Sequence, residues 1–101
     1  MKTVISFSNK KIEENNFDRD DVFDIVREMF EKYKLPCVVD KDNTLVFIGK
    51  GDENDFSYMW SCICPLMQEK WFTDCADSCL FYLYDDEEPE DVLAQAYKVK
   101  R

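Results

Sequence analysis

The chain has 101 residues, 46% of them hydrophobic and 15% aromatic, with two glycines and three prolines. Such a chain can bury a core large enough to offset the entropy of folding, and its length suits one domain, residues 1-101, rather than two. Asp and Glu number 22 against 13 Lys and Arg, a formal net charge of -9. That balance argues against direct nucleic-acid binding, because such binders gain affinity by replacing counterions with cationic side chains. It fits a basic protein partner, or simply a charge that keeps a small protein in solution.

The first residues, MKTVISFSNKK, are too short and polar for a secretory signal and have no small-residue cleavage site. No stretch approaches a transmembrane helix in length, so no membrane association is expected. The expected location is the cytoplasm, where thiols stay reduced.

Met1 to Ser8 sets Thr3, Ile5 and Phe7 on one side and Val4 and Ser6 on the other, which predicts a strand buried more on one face. The polar run Asn9 to Asn16 reads as a connection. A helix is predicted from near Asp18, with Phe17 and Val22 placed as a hydrophobic staple around the N-cap. Val22, Ile25, Val26, Met29, Phe30 and Tyr33 form its expected core stripe, and Leu35-Pro36 ends it.

Cys37-Val38-Val39 and Thr44 to Ile48 read as a hairpin around the turn-forming Asp40-Lys41-Asp42-Asn43. The polar loop GKGDEND follows, offering Asn54 or Asp55 as a cap for a second helix. Phe56, Met59, Trp60, Ile63 and Met67 keep helical spacing, and Pro65 is expected to kink or split that helix near Ser61 to Cys64. A competing reading makes Phe56, Tyr58, Trp60, Cys62 and Cys64 one face of a strand. Leu80 to Tyr84 reads as the last strand. Pro89 is expected to open a terminal helix carrying Val92, Leu93, Ala96 and Tyr97 on one stripe.

The order strand, helix, strand, strand, helix, strand, helix predicts an α+β fold of ferredoxin-like split βαβ type (β-α-β-β-α-β). In it, two helices lie on one face of an antiparallel sheet, and a C-terminal helix is added. That architecture hosts many activities, so function must be argued from sites.

Four of the five cysteines lie within WSCICPLMQEKWFTDCADSC, residues 60-79. Cys62, Cys64, Cys75 and Cys79 have the residue type for a four-thiolate zinc site. The C-x-C spacing is tight, however, and on a helix it directs the two thiols to different sides. The competing reading is that they pack as small buried hydrophobes, as does Cys37. With no histidine in the chain, a Cys-His mechanism is excluded. No catalytic residue and no cofactor are expected. Asp40-x-Asp42-Asn43 begins like a calcium loop, yet Leu45 and Gly51 stand where that loop needs Gly and Glu. Gly49-Lys50-Gly51 lacks the length and ending of a phosphate loop and is followed by Asp52, Glu53 and Asp55.

Carboxylates cluster at Asp18, Asp20, Asp21 and Asp24, at Asp52, Glu53 and Asp55, and most densely at Asp85, Asp86, Glu87, Glu88, Glu90 and Asp91. The first two clusters suit helix N-termini. The third places six carboxylates in seven residues directly after Tyr82 and Tyr84, more than capping requires. Trp71, Tyr82 and Tyr84 are the aromatic residues expected to remain for a contact patch.

The expectation is therefore a non-enzymatic interaction module, a monomer or homodimer. Tyr82, Tyr84, Asp85, Asp86, Glu87, Glu88, Glu90 and Asp91 would meet a basic protein surface. An alternative is a stand-in for nucleic acid. Small acidic inhibitors of nucleic-acid enzymes, such as DNA-mimic anti-restriction and anti-CRISPR proteins, are similar to this chain in size and charge alone. A thiol-metal protein built on the four clustered cysteines is the third reading.

Overall fold

Alternation along the first strand, β1 (Lys2–Phe7), follows its sequence: Thr3, Ile5 and Phe7 are buried, while Lys2, Val4 and Ser6 are half-buried on the other face. The computed structural model describes residues 1-84 and 87-99, without the side chains of 96-99. Asn9 to Asn16, expected as a connection, instead forms a short helix, α1 (Asn9–Glu14). Ser8 caps it by accepting from the Lys11 N–H at 3.2 Å. Asn16 ends it at φ 60°, with Asn16 and Phe17 N–H bonded back to Glu13 and Ile12. This is a Schellman closure. Because only Ile12 is buried, no periodicity betrays the helix.

Helix α2 (Arg19–Glu31) begins at the expected place, with the Asp18 carboxylate accepting from the Asp20 and Asp21 N–H groups. It ends before Leu35-Pro36, because Lys34 takes φ 59° and the Lys34 and Leu35 N–H groups return to Glu31 and Phe30. Its buried face is Val22, Phe23, Val26 and Phe30, which differs from the expected stripe. At about 100° per residue these four span one arc of roughly 100°, and Ile25 falls about 60° outside it. Ile25 is accordingly 45% exposed.

β2 (Cys37–Lys41) and β3 (Thr44–Ile48) form the expected hairpin. Its turn is tighter than the sequence suggested. Asp42 and Asn43, at φ 53° and 61°, make a two-residue loop with the positive-φ pair of a type I′ turn. The residues suspected of a calcium loop are used here, and Asp40 pairs with Arg27 of α2.

Helix α3 (Asp55–Gln68) contains Pro65 and runs past it, so the competing strand reading is wrong and no split falls near Ser61 to Cys64. Met59, Cys62, Ile63, Leu66 and Met67 are buried along it. Each such burial contributes about 1.5–3 kcal/mol for the larger side chains, which together outweigh the roughly 3 kcal/mol cost of an interior proline. The break comes instead at Glu69, whose extended backbone separates α3 from α4 (Lys70–Cys75).

β4 (Ala76–Tyr82) starts four residues before the predicted Leu80 and stops before Leu83. Glu90–Asp91 forms β5, and helix α5 (Val92–Val99) starts there rather than at Pro89, with the Asp91 carboxylate accepting from the Ala94 N–H at 3.0 Å. Val92 and Leu93 are buried as predicted, whereas the side chains of Ala96 and Tyr97 lie outside the described residues.

The fold is thus α+β, with an antiparallel sheet of five strands in the order β2-β3-β1-β4-β5. It differs from the expected ferredoxin-like plan in having a fifth strand beside β4 and the additional helices α1 and α4. Buried side chains from the helices join Ile5, Phe7, Leu45, Phe47, Cys79 and Phe81 in one core. The radius of gyration is 13.0 Å, near the value of about 13 Å for a chain this long. No described helix is long and apolar enough to cross a membrane.

Candidate functional site

Three places carry the candidate residues, and the first lies where β4 runs out. Tyr82 stands opposite Lys2 in register, and the Lys2 ammonium sits 4.7 Å from the centre of its ring. Tyr82 is therefore half-buried and partnered within the sheet. Leu83 and Tyr84 follow at 37% and 57% exposure. Glu87 and Glu88 are exposed and form no ion pair or side-chain hydrogen bond among the described residues, while the Glu87 N–H closes a turn to the Tyr84 carbonyl at 3.3 Å.

Two more carboxylates of this run serve the fold itself. Glu90 accepts from Gln95 Nε2 at 3.0 Å, and Asp91 caps α5. Asp85 and Asp86 lie outside the described residues. What remains is Leu83 and Tyr84 beside Glu87 and Glu88. Leu83 was missed in the sequence because strand alternation was extended through it.

The clustered cysteines are dispersed by the elements that carry them. Cys62 is buried on α3 and its thiol donates to the Met29 carbonyl at 3.4 Å, while Cys64 is exposed on the same helix. Cys75 ends α4 and Cys79 lies inside β4, both buried. Burial pushes the Cys62 and Cys79 thiols up to about 12, with Lys32 pulling slightly the other way on Cys62 and Asp91 adding to the rise on Cys79. Cys75 and Cys37 are also raised, first by burial. These are the opposite of activated thiolates. Among the described residues, no group of three or more His, Cys, Asp or Glu side chains is placed to hold a metal ion.

A third place includes Trp71, which was expected to join Tyr82 and Tyr84 in a contact patch, but the cleft itself was not anticipated. Phe17, Val22, Ile25 and Trp71 line a cleft of about 440 Å³ together with Asp18 and Asp21. Phe17 and Val22, the residues expected as a staple, both line it together with Trp71 of α4, whose indole N–H donates to Glu69 Oε2 at 3.1 Å. The signal available in the sequence was Ile25, an apolar residue outside the arc of its own helix.

The loop after β3 has a structural role. Asp55 Oδ2 accepts from the Gly51 and Asp52 N–H groups at 2.9 and 3.2 Å, and a β-carbon at Gly49 would stand 2.5 Å from that oxygen. Lys50 donates to the Tyr33 carbonyl at 3.2 Å and lies 4.8 Å from the centre of the Tyr58 ring. A cation at the end of α2 is favoured by the helix dipole. The glycines suspected of cradling phosphate are thus explained by loop closure.

No protein-family model, curated protein or solved structure matches the chain. Function is therefore argued from these surfaces alone.

Proposed function

We propose that the protein is a non-enzymatic interaction module that engages a basic protein surface through Tyr84 and the carboxylates after it. The observation that supports this most is the juxtaposition of exposed Leu83 and Tyr84 with Glu87 and Glu88, which have no partner among the described residues. Tyrosine beside unpaired acid suits a contact in which the ring supplies buried area and the charges supply on-rate and selectivity. Asp85 and Asp86 extend the acidic run in sequence, and Tyr82, Glu90 and Asp91 frame it. We also read the first four strands, β1 to β4, as a split βαβ core with additions. Its support is that β3 lies between β1 and β2, and β1 between β3 and β4.

Capture of basic partners on the immobilised protein, followed by titration with the isolated partner, tests the reading. Binding should weaken with added salt, fall about tenfold in Tyr84→Ala, and disappear in the double variant Glu87→Lys, Glu88→Lys. Unchanged binding in that double variant rejects the proposed surface. Displacement by double-stranded DNA would place the partner's nucleic-acid channel at the interface, which is the DNA-mimic reading.

A further inference from the structure

We propose that the cleft between the start of α2 and α4 is a second docking site, whose occupant is a cationic amphipathic helix of a protein partner. Its floor is apolar and open to solvent: Ile25 is 45% and Phe17 is 41% exposed, and Trp71 is half-buried. Its lining also includes the carboxylates of Asp18 and Asp21, and among the described residues no Lys or Arg pairs with either. Asp20 pairs with Arg19 and Asp24 with Arg27; Asp18 forms no ion pair but is engaged in capping α2, and Asp21 forms no ion pair or side-chain hydrogen bond among the described residues. An apolar side chain entering the cleft would cover the exposed ring and branched chain. Lysines or arginines on the flanks of the same helix would meet Asp18 and Asp21.

This arrangement selects one chemistry. A neutral apolar segment would leave the Asp21 carboxylate half-desolvated without a counter-charge, and a purely polar cation would leave the floor in water. An amphipathic helix with a basic flank satisfies both, as helix-in-groove contacts do. Trp71 is set to act as the anchor wall, since its indole N–H is already satisfied by Glu69 and its ring needs no polar partner from the ligand.

The site stands apart from the Tyr84 surface. Trp71 precedes β4 and Tyr84 follows it, and the seven extended residues between span roughly 20 Å. Near physiological salt the screening length is about 8 Å, so changes at one place leave the other largely unaffected.

The test uses the full chain and a synthetic helical peptide of leucine and lysine with its leucines along one face. The chain has two tryptophans, so Trp60→Phe leaves Trp71 as the reporter. Binding should shift Trp71 emission to the blue as its ring leaves water. Ile25→Glu decides between docking and general attraction. It makes the protein more acidic, so unspecific attraction to the cationic peptide would strengthen, whereas docking should weaken roughly tenfold. Asp21→Asn should weaken binding about threefold, and the Glu87→Lys, Glu88→Lys double variant should leave it within about twofold. An unmoved Trp71 spectrum, or Ile25→Glu binding as tightly as the parent, overturns the proposal. Because Ile25 is solvent-exposed, its replacement should leave the far-ultraviolet dichroism unchanged. Should that spectrum change, Phe17→Glu makes the same decision.

Discussion

The two faces of the sheet share every backbone hydrogen bond and almost nothing else. On one face Thr3, Ile5, Phe7, Leu45, Phe47, Cys79 and Phe81 are buried, with Phe47 stacked on Phe30 of α2 at 3.9 Å and 8°. Even Thr3 is accommodated there, its hydroxyl directed at Met59 Sδ at 3.3 Å. On the other face Val39, Val46, Val4 and Leu80 form a row across four strands by register, all of them wholly or partly open to solvent. Strand propensity explains both rows. Only helical cover explains why one of them is core.

The largest effect that tests this contrast comes from neighbouring residues of β3. Phe47→Ala removes a ring from the packed face and should cost about 3–5 kcal/mol. Val46→Ala, one residue away on the other face, should cost about 1 kcal/mol or less. Urea unfolding followed by circular dichroism measures both. Equal costs would mean that the two faces are equally covered and would break the comparison.

The thiols sharpen it at intermediate size. Cys62, Cys75 and Cys79 belong to the covered side, and Cys64 does not. An alkylating reagent on the native protein should therefore modify Cys64 first and the buried three only on unfolding. A zinc ion held by the four clustered cysteines would instead protect Cys64 and add one metal to the native mass. The pH dependence has a definite sign. Cys62 and Cys79 are raised to about 12 in the folded state, against roughly 8.5 in an unfolded chain. Above pH 8.5 the unfolded state loses these protons first. Stability from the two thiols is thus full below that pH and declines as pH rises toward 12. Cys79→Ala should flatten this decline relative to the parent, which separates it from lysine and tyrosine titration.

The sequence disclosed whatever has a period and concealed whatever depends on a second element. The alternation of β1, the hairpin and the start of α2 at Asp18 were legible, because a face or a cap is written locally. Helix α1 was not, since it buries one apolar residue and so has no period to show, although it is capped locally by Ser8 and Asn16. The stretch around Pro65 misled through a local rule that packing overrides. Leu80 suggested where β4 begins, but pairing with β1 extends the strand back to Ala76. For the sites, the acidic run was visible, yet its division into structural Glu90 and Asp91 and Glu87 and Glu88 without partners among the described residues needed the strand and cap that the first two serve. The cleft needed three-dimensional proximity outright, because Trp71 is far from Phe17 and Ile25 in the chain.

The smallest expected effect probes the open face itself. Val4 sits in mid-row between Val46 and Leu80, so Val4→Thr replaces a methyl by a hydroxyl where water can reach it. If the face is solvated, the change should be about 0.5 kcal/mol and independent of protein concentration. A larger loss, together with an unfolding midpoint that rises with concentration in the parent, would show a second copy covering the row, because only association links stability to concentration. The chemistry of the face makes this a fair contest. In a molecule of net charge -9, the outer rows of this face carry Lys2 and Lys41, so a second copy would meet it without acid facing acid across the row.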